Sequence, residues 1–134
     1  DECQADYTDF LSQGIRVLHI EKKELETVLH ASSIGIMYFE ETIYRTFAFP
    51  YKLMEYMFAG LPIICNAGSH AADFVSNNNI GWVVKDVDEL EQLIQKLKND
   101  HSEWRKMRVN ISEVRQKHTW LARAEKVSID LQAL

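Results

Sequence analysis

The chain has 134 residues, 46% of them hydrophobic and 26% charged, a balance that fits one globular domain and excludes intrinsic disorder. Its formal net charge is -5, which argues against a nucleic-acid partner, because phosphate neutralisation needs clustered Lys and Arg. No stretch reaches the ~18 apolar residues of a membrane span and no basic segment precedes an apolar run. The two cysteines, Cys3 and Cys65, form no metal-spaced pair, so a reduced, cytoplasmic setting is expected.

The first dozen residues carry little pattern. Ile15 to Ile20 alternates and is β-branched, which predicts a short strand. Leu25, Val28 and Leu29 recur at helical spacing and predict a helix over Lys22 to Ser32. Ile34 to Phe39 is a nearly continuous apolar run, as expected of a strand buried on both faces of a parallel sheet. Residues 40–49 read as an irregular loop. Pro50 then suits the start of a helix, Tyr51 to Ala59, and Gly60 suits its left-handed stop.

Leu61 to Cys65 reads as another strand, and Asn66 to Ser69 as a turn into a helix from His70 to Ser76. Asn77 to Asn79 form a polar turn before a last strand, Gly81 to Val84. Asp86 caps a helix over Val87 to Lys98, with Asp88 and Glu89 in the first turn and Lys96 and Lys98 in the last, as the helix dipole favours. Ser102 to Leu134 is helical with a break near His118 and Thr119. The alternation β-α-β-α-β-α-β-α-α predicts a doubly wound, parallel α/β sheet of about four strands with helices on both faces.

Ligands of open α/β sheets bind at the carboxyl ends of the strands. Two places stand out. The helix opened by Pro50 offers free N–H groups to an anion, and Lys52 adds positive charge in the first turn, where the dipole alone disfavours it. Glu55 shares a face with Lys52, and its carboxylate suits ribose hydroxyls. The same two residues also read as a surface ion pair at i, i+3. The second place is the small-residue turn at Gly68 and Ser69, which can wrap a ligand closely; Ser69 there also reads as a plain helix cap. The five histidines make no HxxxH or HExxH pattern, and no metal is expected. Glu40 and Glu41 follow a strand end, a position open both to catalysis and to an exposed acidic loop.

The segment Pro50-x-Lys52-Leu53-x-Glu55-Tyr56-Met57-x-Ala59-Gly60-Leu61-Pro62-Ile63-Ile64 resembles the signature of the retaining, nucleotide-sugar-dependent glycosyltransferases of GT-B fold (group 1). The likeness extends to Glu24-Leu25 and Ala31 to Ile36 before it. After it come Asn79 to Val84, Asp86 to Lys98 and His118-Thr119-Trp120, so residues 13–130 are covered. The resemblance implies the Rossmann-like C-terminal domain of such an enzyme. It implies a nucleoside diphosphate sugar as substrate, with no cofactor and no metal. It also implies a site in which Tyr51, Lys52 and Leu53 lie near the diphosphate and Glu55 binds the ribose; the reading of the residues themselves adds Pro50, which opens that helix, and the turn at Gly68 and Ser69 as a further donor loop.

Two departures bear on function. Many members carry a second Glu eight residues before the one matching Glu55, and Phe47 stands there; no catalytic residue is therefore assigned. The family's domain also opens with two strands and a Gly-Arg-(Leu/Phe) loop, none of which is among these residues. The chain thus reads as a single partial domain, with an N-terminal acceptor domain as its expected partner and any membrane association supplied from elsewhere. The expected reaction of the whole is glycosyl transfer to a saccharide or lipid-linked acceptor in polysaccharide synthesis. The isolated piece is expected to bind a nucleoside diphosphate weakly and to be inactive. The alternative is a non-catalytic binding or assembly protein that kept the fold. A response-regulator-like module would want an Asp at a strand end, and none follows Phe39 or Cys65. If two strands are absent, Ile15 to Ile20 is expected to pair directly with Ile34 to Phe39, or else a second copy of the chain covers the open edge as a homodimer.

Overall fold

The computed structural model describes residues 14–39 and 42–132. Cys3, Glu40 and Glu41 lie outside them. Three parallel strands, β1 (Gly35–Met37), β2 (Ile63–Asn66) and β3 (Gly81–Val84), lie side by side in that order. The register sets Gly35 against Ile63 and Ile64 against Trp82. Seven helices among the described residues complete the fold. They are α1 (Lys22–Ala31), α2 (Ile43–Phe47), α3 (Tyr51–Phe58), α4 (His70–Asn77), α5 (Val87–Asn99), α6 (Ser102–Lys117) and α7 (Trp120–Gln132).

The period-two alternation of β2 divides the core. Ile63 and Cys65 pack with Leu53 and Met57 of α3, Val75 of α4 and Ile111 and Val114 of α6. Ile64 points the other way, to Val84, Leu97 of α5 and the half-buried Trp104. Helices therefore cover both faces, as expected of a doubly wound sheet. Local chemistry fixes the helix ends. Asp86 accepts the Glu89 N–H at 2.8 Å and starts α5, and Ser69 Oγ accepts the Ala72 N–H at 3.2 Å and starts α4. After α3, Gly60 sits at φ +77°, with Leu61 N–H on the Tyr56 carbonyl and Gly60 N–H on that of Met57. This is the paired hydrogen bonding of a Schellman stop. Asn79, at φ 50°, ends α4 in the same way.

Three expectations are corrected. Ile15 to Ile20 forms no strand, so the sheet has three strands, not four, among the described residues. Ile15 and Leu18 are each about half exposed and Val17 and Ile20 only partly covered, so the alternation finds no surface to bury against. Strand propensity expresses fit to a pleated, half-buried surface, not an intrinsic preference. The run Ile34 to Phe39 shortens to β1 and is covered on one face only, because Ile36 is 45% exposed between the buried Gly35 and Met37. Residues 40–49 are not wholly irregular: Ile43–Phe47 makes the short helix α2.

Candidate functional site

The strands end at a cavity of about 490 Å³. One wall is formed by Phe39, by Thr42, Tyr44 and Thr46 at and within α2 and by Ala48 to Tyr51, and the other is the turn Asn66 to Ser69 after β2. Its lining carries the hydroxyls of Thr42, Thr46 and Ser69, the amide of Asn66 and the rings of Tyr44, Phe49 and Tyr51. Among the described residues it carries no formal charge. Cys65 lines the floor, where burial pushes its thiol up to about 11. It stays protonated near neutrality and is no nucleophile.

A second cavity, of about 540 Å³, opens on the other side of the start of α3. It lies between α1, α3 and the joint of α6 with α7, and its charged lining includes Lys22, Glu26, Glu55 and Arg123. Trp120 stands at its rim, 85% exposed, with the Arg123 guanidinium 5.7 Å from the centre of its ring. His118 packs edge-on to Phe74 at 5.1 Å. Burial, then Arg123 and Lys117, hold its imidazole below the usual range. Phe49 and Tyr51 line both cavities, so the first residues of α3 form the partition between them.

The sequence-derived site residues divide along that partition. Pro50, Gly68 and Ser69 line the first cavity, Glu55 the second, and Tyr51 both. Lys52 is exposed on the first turn of α3 and lines neither. Leu53 is fully buried in the core, and its N–H is bonded to the Pro50 carbonyl at 3.1 Å. Lys52 and Glu55 form no ion pair with each other; the pair among the described residues is Lys96–Glu103. Pro50 supplies no side-chain cap to α3. The amides of Tyr51 and Lys52, at the first two helical positions, therefore have no acceptor within the helix. At α4 the Ser69 hydroxyl takes the third amide, that of Ala72, as the Pro50 carbonyl takes that of Leu53 in α3.

Sequence reasoning did not find Asn66 as a structural participant. Its Oδ1 accepts the Phe39 N–H at 3.2 Å and its Nδ2 donates to the Phe39 carbonyl at 3.0 Å. The signal was an Asn closing an apolar strand, one side chain able to give and take a hydrogen bond. The approach of His118, Trp120 and Arg123 to Glu55 has no local signal at all. No group of three or more His, Cys, Asp or Glu among the described residues could hold a metal, and no described helix is long and apolar enough to cross a membrane.

Residues 16–120 match the family described as glucosyltransferase 3-like, C-terminal domain. A stretch of 56 residues, 42% of the chain, is 39% identical to a protein of Streptococcus parasanguinis named Glucosyltransferase 3. That match spans 16% of the relative's length.

Proposed function

The chain belongs to the family of glucosyltransferase 3-like C-terminal domains, and from that membership we propose that it forms the donor side of a sugar-transfer site of GT-B type. The observation that carries the reading is the uncapped start of α3 standing between two cavities of different chemistry. A diphosphate at the Tyr51 and Lys52 amides gains from the helix dipole and from the Lys52 charge. The nucleoside then falls on the side of Glu55, whose carboxylate accepts ribose hydroxyls. The glycosyl unit falls on the side of Ser69, Thr42 and Thr46, whose uncharged hydroxyls suit a neutral polyol. Retaining transfer depends on stabilising the departing diphosphate more than on a strong base, and preorganised amides at a helix start do that without side-chain reorganisation. The acceptor is expected on a separate domain, and the work is expected in the cytoplasm.

Titration of UDP-glucose and UDP into the complete gene product by calorimetry tests this. Binding of both, weakened by Glu55→Ala, supports the reading; no binding of either by the wild-type protein rejects it. Phe47, where many GT-B enzymes of this kind carry a Glu, is 60% exposed on α2 and favours a second reading, a non-catalytic protein that retains the fold. Donor binding without any release of UDP in the presence of saccharide or lipid-linked acceptors would select it.

A further inference from the structure

We propose that the indole of Trp120 is the platform on which the nucleobase of the donor stacks, an inference that rests on the donor-site reading above and deepens it. The chain has three tryptophans, and two are occupied. The Trp82 indole N–H donates to Glu103 at 3.2 Å and that of Trp104 to the Ser33 carbonyl at 2.9 Å. Both rings also pack against the Ile64 side of the core. Trp120 does neither. It is 85% exposed, and its N–H makes no hydrogen bond to the described residues.

The main chain that carries Trp120 is nevertheless held. Thr119 Oγ1 accepts the Ala122 N–H at 3.1 Å and caps α7, which Trp120 opens. Just before it, the His118 ring lies edge-on to Phe74 at 5.1 Å. One turn on, the Arg123 guanidinium lies over the indole, a cation on the electron-rich face of the ring. One face is taken up in this way, and the exposure of the residue leaves the rest of the ring open to water.

Trp120 and Glu55 line the same cavity. On the donor-site reading the ribose meets Glu55, so the base, one bond beyond the ribose, enters that cavity too. Its volume of about 540 Å³ lies in the range of small-ligand sites. Leu25 and Leu29 of α1 and Met54 and Phe58 of α3 give it apolar sides, which suit a flat heterocycle better than a sugar or a phosphate. The base is the one flat aromatic part of the donor. Stacking on an indole asks only for a π-face, so the platform needs no set pattern of hydrogen bonds.

The test titrates UDP and ribose 5-diphosphate, which lacks the base, into the complete gene product and its Trp120→Ala and Trp120→Phe variants. At such exposure neither substitution removes core packing. The expected result in Trp120→Ala is an affinity for UDP lowered about tenfold, the scale of losing one base–aromatic stack, with ribose 5-diphosphate changed less than about twofold. Trp120→Phe should keep most of the UDP affinity. Uridine should also quench part of the wild-type tryptophan fluorescence, and Trp120→Phe should remove that quenching. Equal losses for both ligands in Trp120→Ala would mean a merely structural residue. Unchanged UDP affinity, or quenching that persists in full without the indole, would place the base elsewhere. Each of these overturns the proposal while the donor-site reading stands. A wild-type protein that binds neither ligand overturns both.

Discussion

The indole Nε1–H of Trp104 donates to the carbonyl oxygen of Ser33 at 2.9 Å, latching the first turn of α6 to the approach of β1 across 71 positions of sequence. The Arg108 guanidinium sits 5.0 Å from the centre of the same ring. Trp104→Phe keeps an aromatic face for Arg108 and deletes the donor. The expected cost is about 1 kcal/mol, read as a lower urea midpoint with unchanged slope. An unchanged midpoint would mean the latch adds nothing.

Two glycines should differ sharply in tolerance. A Cβ on Gly81 would fall on the main chain of Ile63 in the neighbouring strand, and one on Gly35 would meet the ring of Tyr56. Backbone in a ladder cannot step aside, whereas a half-buried ring can turn. Gly81→Ala is expected to cost about 3 kcal/mol or to abolish folding, and Gly35→Ala about 1–2 kcal/mol. Adding Tyr56→Ala to Gly35→Ala should recover part of the loss in a double-mutant cycle. Equal midpoints for the two single variants would count against the close strand approach at Gly81.

Glu103 accepts from Lys96 Nζ at 2.7 Å and from the indole Nε1 of Trp82 at 3.2 Å. The Lys96 bond foremost, then the Trp82 bond, hold its carboxyl below the usual range. A carboxyl lowered on folding contributes stability above its unfolded value, near 4.3, and loses it as pH falls through the lower folded value. Both partners are largely exposed, so Glu103→Gln should cost only about 0.5 kcal/mol at pH 7. The gap between wild type and variant should be full above the unfolded value and close as pH falls below it. A gap that is constant with pH would assign the effect to shape instead of charge.

Lys52 and Glu55 are expected to separate by ligand. In the complete gene product, Lys52→Ala should lower affinity for UDP about tenfold and leave uridine nearly unaffected, as for a charge-assisted contact to phosphate. Glu55→Ala should weaken UDP and uridine by the same factor, since both carry the ribose. Calorimetric titration of the four pairs checks this, and loss of uridine binding in Lys52→Ala would reassign the lysine.

Legibility in the sequence followed how local each determinant is. β3 is legible to the residue, and α5 to within one residue at its far end, because Asp86 and the charge bias at the two helix ends are written in adjacent positions. The stop at Gly60 was equally local. The alternation of Ile15 to Ile20 overstates a strand, because it says nothing of whether a neighbouring surface exists. α2 carries no such signal because it is short and turns its apolar residues outward, against the pattern that marks a packed helix. In the candidate site, spacing and resemblance single out Pro50, Gly68, Ser69 and Glu55, which line two different cavities. The division that sets Pro50, Gly68 and Ser69 on one side of the start of α3 and Glu55 on the other has no local signal, since it depends on where α1 and the α6–α7 joint come to rest.

The contrast between an uncharged lining on one side of α3 and a charged lining on the other has a consequence for ionic strength. Salt at 0.1 M screens exposed charges over about 10 Å, and the first cavity offers no formal charge among the described residues to screen. Lys22, Glu26, Glu55 and Arg123 on the other side do. A molecule that straddles the helix should therefore be held by a salt-resistant end and a salt-sensitive end, and raising the salt should loosen it from one end first.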